Sequence, residues 1–296
     1  MGDPALHETL EELLAGGTVV TDGAWGTQLQ ARGLAPGACP DAWNLERPEQ
    51  VEAVARAYVD AGSRVILTNT FGANRFVLSR FGLEEKAGEL NGAGVEISKR
   101  AAGDRARVFG SIGPSGVMLM MGEVEPEELQ AAFAEQADAM ADAGADGIVV
   151  ETMADPAEAK LAVAAARATD LPVVACMTFD TGPNLDRTMM GTTPEQAARL
   201  LTQAGADVVG SNCGQGIARF AEICARLSSA TDLPVWIKAN AGLPELVDGQ
   251  TIYRQTPEEF AARVPALIEA GASFIGGCCG TTPEFIAAVR AKLGGA

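Results

Sequence analysis

A phrase recurs four times along the chain: "DAGSRVILTNT" from Asp60, "DAGADGIVVET" from Asp142, "QAGADVVGSNC" from Gln203 and "EAGASFIGGCC" from Glu269. Each copy reads as a helix end, an Ala-Gly, a short turn and a β-rich apolar run. The glycine supplies the left-handed geometry that closes a helix, and a short run apolar on both faces belongs in a buried parallel strand. The four glycines, Gly62, Gly144, Gly205 and Gly271, are 82, 61 and 66 residues apart. Each gap has room for about two strand–helix units, so one more strand is expected inside each. "RVFGSIG" from Arg107, "PVVACMTF" from Pro172 and "PVWIKAN" from Pro234 supply them, and "TVVTDG" from Thr18 completes a set of eight.

Helical patterns lie between these strands. After Pro48, residues Val51, Val54, Ala55, Tyr58 and Val59 share one helical face. Thr-Pro-Glu at 193–195, 256–258 and 282–284 predicts threonine as N-cap, proline at the first helical position and an acid in the first turn. Eight alternating units predict an α/β fold, a single (β/α)8 TIM barrel. Helix-to-strand connections are short, whereas strand-to-helix connections, near 28–48, 113–125, 180–193 and 241–256, are long. Long loops on the C-terminal side of the strands build the catalytic face of such barrels. A doubly wound open sheet is the runner-up, but no G-x-G-x-x-G turn follows the first strand.

One domain over residues 1–296 is expected, long enough to bury a core without disulfide staples. A net charge of −17 argues against nucleic acid and anionic lipid as partners. No apolar run is long enough to span a membrane, and the acidic N-terminus lacks a signal-peptide pattern, so a cytoplasmic location is expected. The one histidine, His7, falls in an N-terminal segment expected to be mobile. Histidine-based catalysis and histidine-rich metal sites are thereby set aside.

Six cysteines remain, at 39, 176, 213, 224, 278 and 279. Cys213 ends the sixth strand; Cys278 and Cys279 end the eighth. In a closed barrel these ends converge on one mouth. Adjacent residues of a regular strand face opposite ways, so the strand must break for both Cys278 and Cys279 to meet one ion. The flanking Gly276, Gly277 and Gly280 permit that break. Three thiolates with one open position suit a catalytic zinc, which activates a thiol at neutral pH without a histidine base. A vicinal disulfide, or cysteines acting as small buried hydrophobes, are the competing readings. Cys39, Cys176 and Cys224 are expected to be structural.

"GGCCGTTPEFI", "GSNCGQG", "DGAWGTQLQARGL" and "TNTFGANRF" resemble the homocysteine-binding zinc domain of the homocysteine S-methyltransferase family, over about residues 15–293. That family includes cobalamin-dependent methionine synthase and betaine–homocysteine methyltransferase. The resemblance implies Zn2+ on Cys213, Cys278 and Cys279, and a zinc-bound homocysteine thiolate that attacks an activated methyl group to give methionine. It also implies that Asp22 and Glu151 anchor the substrate amine, Glu151 with Thr152 beside it. The amides of Gly23, Ala24 and Trp25 are candidates for the substrate carboxylate. Asn69, Asn212 and Asn240 close strands and are candidates to orient substrate. "GSIGPSG" at 110–116 is read as a loop within reach of a methyl donor, and Trp43 as loop packing.

The resemblance leaves the donor open. A methylcorrinoid such as methylcobalamin, not tightly held by this chain and linked to methyltetrahydrofolate through a separate corrinoid- or folate-binding protein, is the leading reading. The sequence ends soon after the eighth strand, so folate and cobalamin modules are expected elsewhere. Direct transfer from betaine, S-methylmethionine or S-adenosylmethionine is the second reading. A non-catalytic zinc-binding scaffold of a methyl-transfer complex is the third, and it would have no need of Asp22 and Glu151.

Overall fold

The computed structural model describes residues 6–247 and 250–294. The remaining positions of the expected 1–296 domain lie outside the described residues. Eight parallel strands form the barrel: β1 (Val19–Val20), β2 (Val65–Leu67), β3 (Arg107–Ile112), β4 (Gly147–Met153), β5 (Val173–Met177), β6 (Val208–Cys213), β7 (Val235–Ala239) and β10 (Ala272–Gly277). A short antiparallel hairpin, β8 (Glu245–Val247) with β9 (Gln250–Ile252), rises from the loop after β7. The strands pair in the order β1-β10-β7-β6-β5-β4-β3-β2. A parallel bridge between Thr21 and Val65 joins the two ends, helped by the Arg64 amide donating to the Val20 carbonyl at 2.8 Å. This is the expected (β/α)8 barrel.

The recurrent Ala-Gly phrases are its helix-to-strand turns. Gly62, Gly144, Gly205 and Gly271 all take positive φ, from 86° to 101°, which a side chain would resist. In the first three, the next amide donates back to the helix: Ser63 to Tyr58, Ala145 to Met140 and Ala206 to Leu201, each at 3.1 Å. That bond consumes a carbonyl the helix end leaves free. At the other helix ends, Thr193 and Thr256 cap as expected, each accepting from the amide three residues on. Thr282 does not cap; its hydroxyl turns to the Glu284 carboxylate instead. The helix expected after Thr256 divides into Pro257–Ala261 and Val264–Glu269, because Pro265 has no amide with which to continue the ladder.

Alternation along each strand sorts the core into an outer shell against the helices and an interior filling the barrel. The interior holds Val19, Val65, Phe109, Val149, Val174, Val208, Trp236 and Phe274. Trp236 stacks near Phe109, with ring centroids 6.4 Å apart, and tilts against Phe274 at 5.0 Å. The N-terminal end is closed by helix Glu8–Leu14, whose Leu10 and Leu13 join this interior. His7, placed by sequence in a mobile segment, caps that helix: its Nδ1 accepts from the Thr9 amide at 3.2 Å. Burying two leucines is what fixes this segment. No described helix is long and apolar enough to cross a membrane.

Candidate active site

Two residues beyond the apolar interior, the same strands turn polar. Ser111 follows Phe109, Glu151 follows Val149 and Lys238 follows Trp236, each facing the same way by alternation. Asn212 stands beside Lys238 in the β6–β7 register, and Cys278 follows β10. Ser111, Glu151, Lys238 and Cys278 meet at the C-terminal mouth. They adjoin a cavity of about 680 Å³ lined by Trp25, Phe71, Ser111, Glu151, Thr152, Lys238, Tyr253 and the cysteines at 213, 278 and 279, among others.

The Sγ atoms of Cys213, Cys278 and Cys279 all lie within 4.8 Å of one another. Tetrahedral zinc with bonds of about 2.3 Å sets its sulfurs roughly 3.8 Å apart, so the trio is close to a ligand set. Cys213 reaches inward from a positive φ of 68°, a conformation costing roughly 1–2 kcal/mol for a side chain of this kind. β10 breaks after Gly277 as expected: Cys278 donates its amide to Ala239 at 2.7 Å, and Cys279 accepts from the Ala241 amide at 2.9 Å. Gly280, at φ 80°, completes the turn, and a Cβ there would strike the Tyr253 ring. The thiols of Cys278 and Cys279 donate to Cys213, pulling its pKa down, while Cys278 is pushed up. Asn240 Nδ2 adds a contact to Cys213 Sγ at 3.5 Å, and Tyr253 bonds to Cys279. One sulfur, Cys213, is thus favoured as thiolate, while the bonds to it push Cys278 and Cys279 up.

Glu151 is buried and accepts from Ser111 Oγ at 2.6 Å and from Asn212 Nδ2 at 3.3 Å. Burial raises its pKa, against the pull of Lys238. Asn212 also holds Thr152, accepting from its amide at 2.7 Å and donating to its hydroxyl at 2.6 Å. Thr152, like Cys213, has positive φ. Strained backbone thus gathers on both sides of Asn212, at the mouth.

Asp22 follows the end of β1, where its bonds are to the protein itself. Its carboxylate is fully buried, lies outside the cavity lining and accepts from three protein donors: Lys238 Nζ at 2.5 Å, Trp25 Nε1 at 2.8 Å and the Leu67 amide at 2.7 Å. The anion nest expected over Gly23, Ala24 and Trp25 is also reduced, because the Ala24 amide donates to Thr281 Oγ1 at 3.1 Å. Asn69 lines the cavity, but its amide nitrogen is spent on Pro40 and Asn44 and so ties down the first loop. Asn212 and Asn240 stand behind the cavity wall and hold its groups. Pro114 and Gly116 of the 110–116 loop do reach the lining, and Ser115 pins that loop to Glu158. Trp43, Cys39, Cys176 and Cys224 are buried packing residues, as expected.

The site also contains residues that motif reading passed over. Lys238 is the foremost, a fully buried cation on an otherwise apolar strand. Its signal was its parity with Trp236: a charge two residues from an interior tryptophan must point into the barrel. Tyr253 is carried in by the β8–β9 hairpin, and Asp41 faces the cavity from the first loop.

The family model for homocysteine S-methyltransferase matches residues 19–293. The chain belongs to the homocysteine S-methyltransferase family. Among its relatives, methionine synthase from Mycobacterium tuberculosis is 35% identical over 98% of this chain, and that from Mycobacterium leprae 34% over 96%. The chain spans about a quarter of the length of these curated relatives, covering 26% and 25% of them. The homocysteine methyltransferase MmuM from Escherichia coli superposes with a TM-score of 0.81 in its metallated form, at 26% identity, covering 96% of this chain and 100% of that one. Its oxidized form gives 0.80.

Proposed function

We propose that the described barrel is a zinc-dependent homocysteine S-methyltransferase forming methionine, working as one unit with its site at the strand ends. The carrying observation is the trio of Cys213, Cys278 and Cys279 beside Glu151 in one open cavity. Soft sulfur donors suit zinc, and the spacing of the three Sγ atoms fits it. When bound, the ion supplies deprotonation of a substrate thiol at neutral pH. Glu151 holds the substrate ammonium by a charge-assisted hydrogen bond, with its orientation set by Ser111 and Asn212. Asn240 and Tyr253 hold Cys213 and Cys279 in position. Trp25 lines the same cavity and donates its Nε1 to Asp22 at 2.8 Å.

The donor is proposed to be a methylcorrinoid, free or carried by a separate protein. The similarity to methionine synthases supports this. Phe71, Phe81, Met120, Met121, Met189 and Leu246 are exposed on loops after β2, β3, β5 and β7, an apolar rim suited to a bulky donor. A small onium donor such as betaine or S-methylmethionine is a second reading, favoured by the aromatic faces of Trp25, Phe71 and Tyr253 in the lining. Anaerobic zinc-loaded protein, given L-homocysteine and methylcobalamin, is expected to form methionine in proportion to protein and zinc. Methionine from betaine or S-methylmethionine alone would select the second donor. No methionine from any of these donors would overturn the proposal.

A further inference from the structure

We infer that Arg80 binds an anionic group of the methyl donor, on the side of the mouth away from the thiols. The inference rests on reading this cavity as the site of methyl transfer. Of the two cations in its lining, Lys238 is matched by Asp22, whereas Arg80 has no carboxylate within ion-pair distance among the described residues. A guanidinium carries five N–H donors in a planar fork. Among the described residues its one bond is a long one, Nη2 to the Gly116 carbonyl at 3.5 Å, so the fork is open to a ligand.

The side chain is nevertheless held. Arg80 sits in the single turn Ser79–Phe81 after β2, closed by Gly82 at φ 67°. Its guanidinium lies against the loop after β3 because Gly116 has no side chain; a Cβ there would strike Nη2. Phe71 lies on Gly113 of the same loop in the same way, and Ser115 pins that loop to Glu158. Phe71 and Phe81, both exposed, also line the cavity, so the fork is bordered by apolar faces. Counted either way round the closed barrel, β2 is four strands from β6, which carries Cys213. A donor whose methyl lies at the sulfurs would therefore extend its remainder towards Arg80. A chain of net charge −17 repels anions at long range, and a cation at the entrance offsets that for a donor with an anionic oxygen. The planar fork suits phosphate and carboxylate alike. The same subsite thus serves the nucleotide phosphodiester of a corrinoid or the carboxylate of a small onium donor, and Arg80 is a specificity determinant for the donor.

Steady-state kinetics on zinc-loaded protein with saturating L-homocysteine tests this with two donor pairs. Methylcobalamin is compared with methylcobinamide, the same methylcorrin without the nucleotide phosphodiester. Betaine is compared with tetramethylammonium, the same onium without the carboxylate. In the pair that yields methionine, wild type is expected to show a KM about tenfold lower for the member with the anionic group, the effect of one hydrogen bond to a charged group. Added salt should narrow that gap, since Arg80 is exposed. Arg80→Met is expected to erase it by raising the KM of the anionic member, with zinc content and homocysteine affinity as in wild type, and Arg80→Lys should restore part of it. The pair that shows the effect identifies the source of the anion. Equal KM within both pairs in wild type, or a gap that survives Arg80→Met, would overturn the role of Arg80 while leaving methyl transfer standing. No methionine from any of the four donors would overturn the reading of the site as well.

Discussion

Phe109 and Ser111 stand two residues apart on β3, as Val149 and Glu151 do on β4 and Trp236 and Lys238 on β7, yet the two levels do opposite work. The lower level is dry, aromatic and closed from beneath by Leu10 and Leu13. The upper level is a hydrogen-bonded set of charges and thiols at the floor of an open cavity. Strand direction, twist and alternation are common to both, so the difference lies wholly in side-chain chemistry. Stability and function are thus stacked along one axis of the barrel, and a substitution should disturb one level or the other according to its parity and height.

The sharpest break in that division is expected from Cys213→Ser. It should abolish bound zinc and lower methionine formation by on the order of a thousandfold, about 4 kcal/mol, with little change in the melting midpoint. Metal analysis beside a thermal melt checks this; full activity without metal would be contrary. At the lower level, Trp236→Ala should cost about 3–5 kcal/mol of stability through the cavity it leaves, read by denaturant titration. A loss of activity in that variant larger than its loss of folded protein would blur the two levels.

Glu151→Gln is expected to weaken homocysteine by about 1.5–3 kcal/mol while zinc content stays at the wild-type level. Burial holds the pKa of Glu151 above its ordinary value, and only the ionised form attracts an ammonium. Homocysteine affinity should therefore fall on acidification before an ordinary glutamate would protonate, and Glu151→Gln should remove that dependence. Asp41 gives the smallest effect. Burial raises its pKa from 3.8 to about 6, so between those values the folded state binds more protons than the unfolded state. Stability then falls as pH rises through this window. Asp41→Asn should flatten the slope and gain about 1–2 kcal/mol at pH 7, less than the roughly 3 kcal/mol implied by the shift, because the bond from Cys39 is lost.

Much of the lower level was legible because its signals are local. An Ala-Gly before an apolar run predicts a helix end and a strand wherever it occurs; its four copies leave gaps that four more strands fill, and eight strand–helix units have few ways to close. The thiol trio was legible once the strands were numbered, since Cys213 and Cys278 must end near one another. Lys238 and Asp22, by contrast, lie 216 residues apart, and their pairing depends on register across three strands. No spacing rule reports that an acid at a strand end is already taken by a lysine on another strand. Tyr253 was hidden for a similar reason, because its place depends on the β8–β9 hairpin within a loop. The N-terminal helix was missed because its stability comes from plugging the barrel, a contact its own sequence does not announce.

The central claim is that three cysteines hold zinc with one position open to the acceptor thiol. X-ray absorption at the zinc edge, on anaerobic protein with and without L-homocysteine, tests it most directly. The account predicts a sulfur shell from the three cysteines that gains one sulfur when homocysteine is added. A shell that homocysteine leaves unchanged would contradict it.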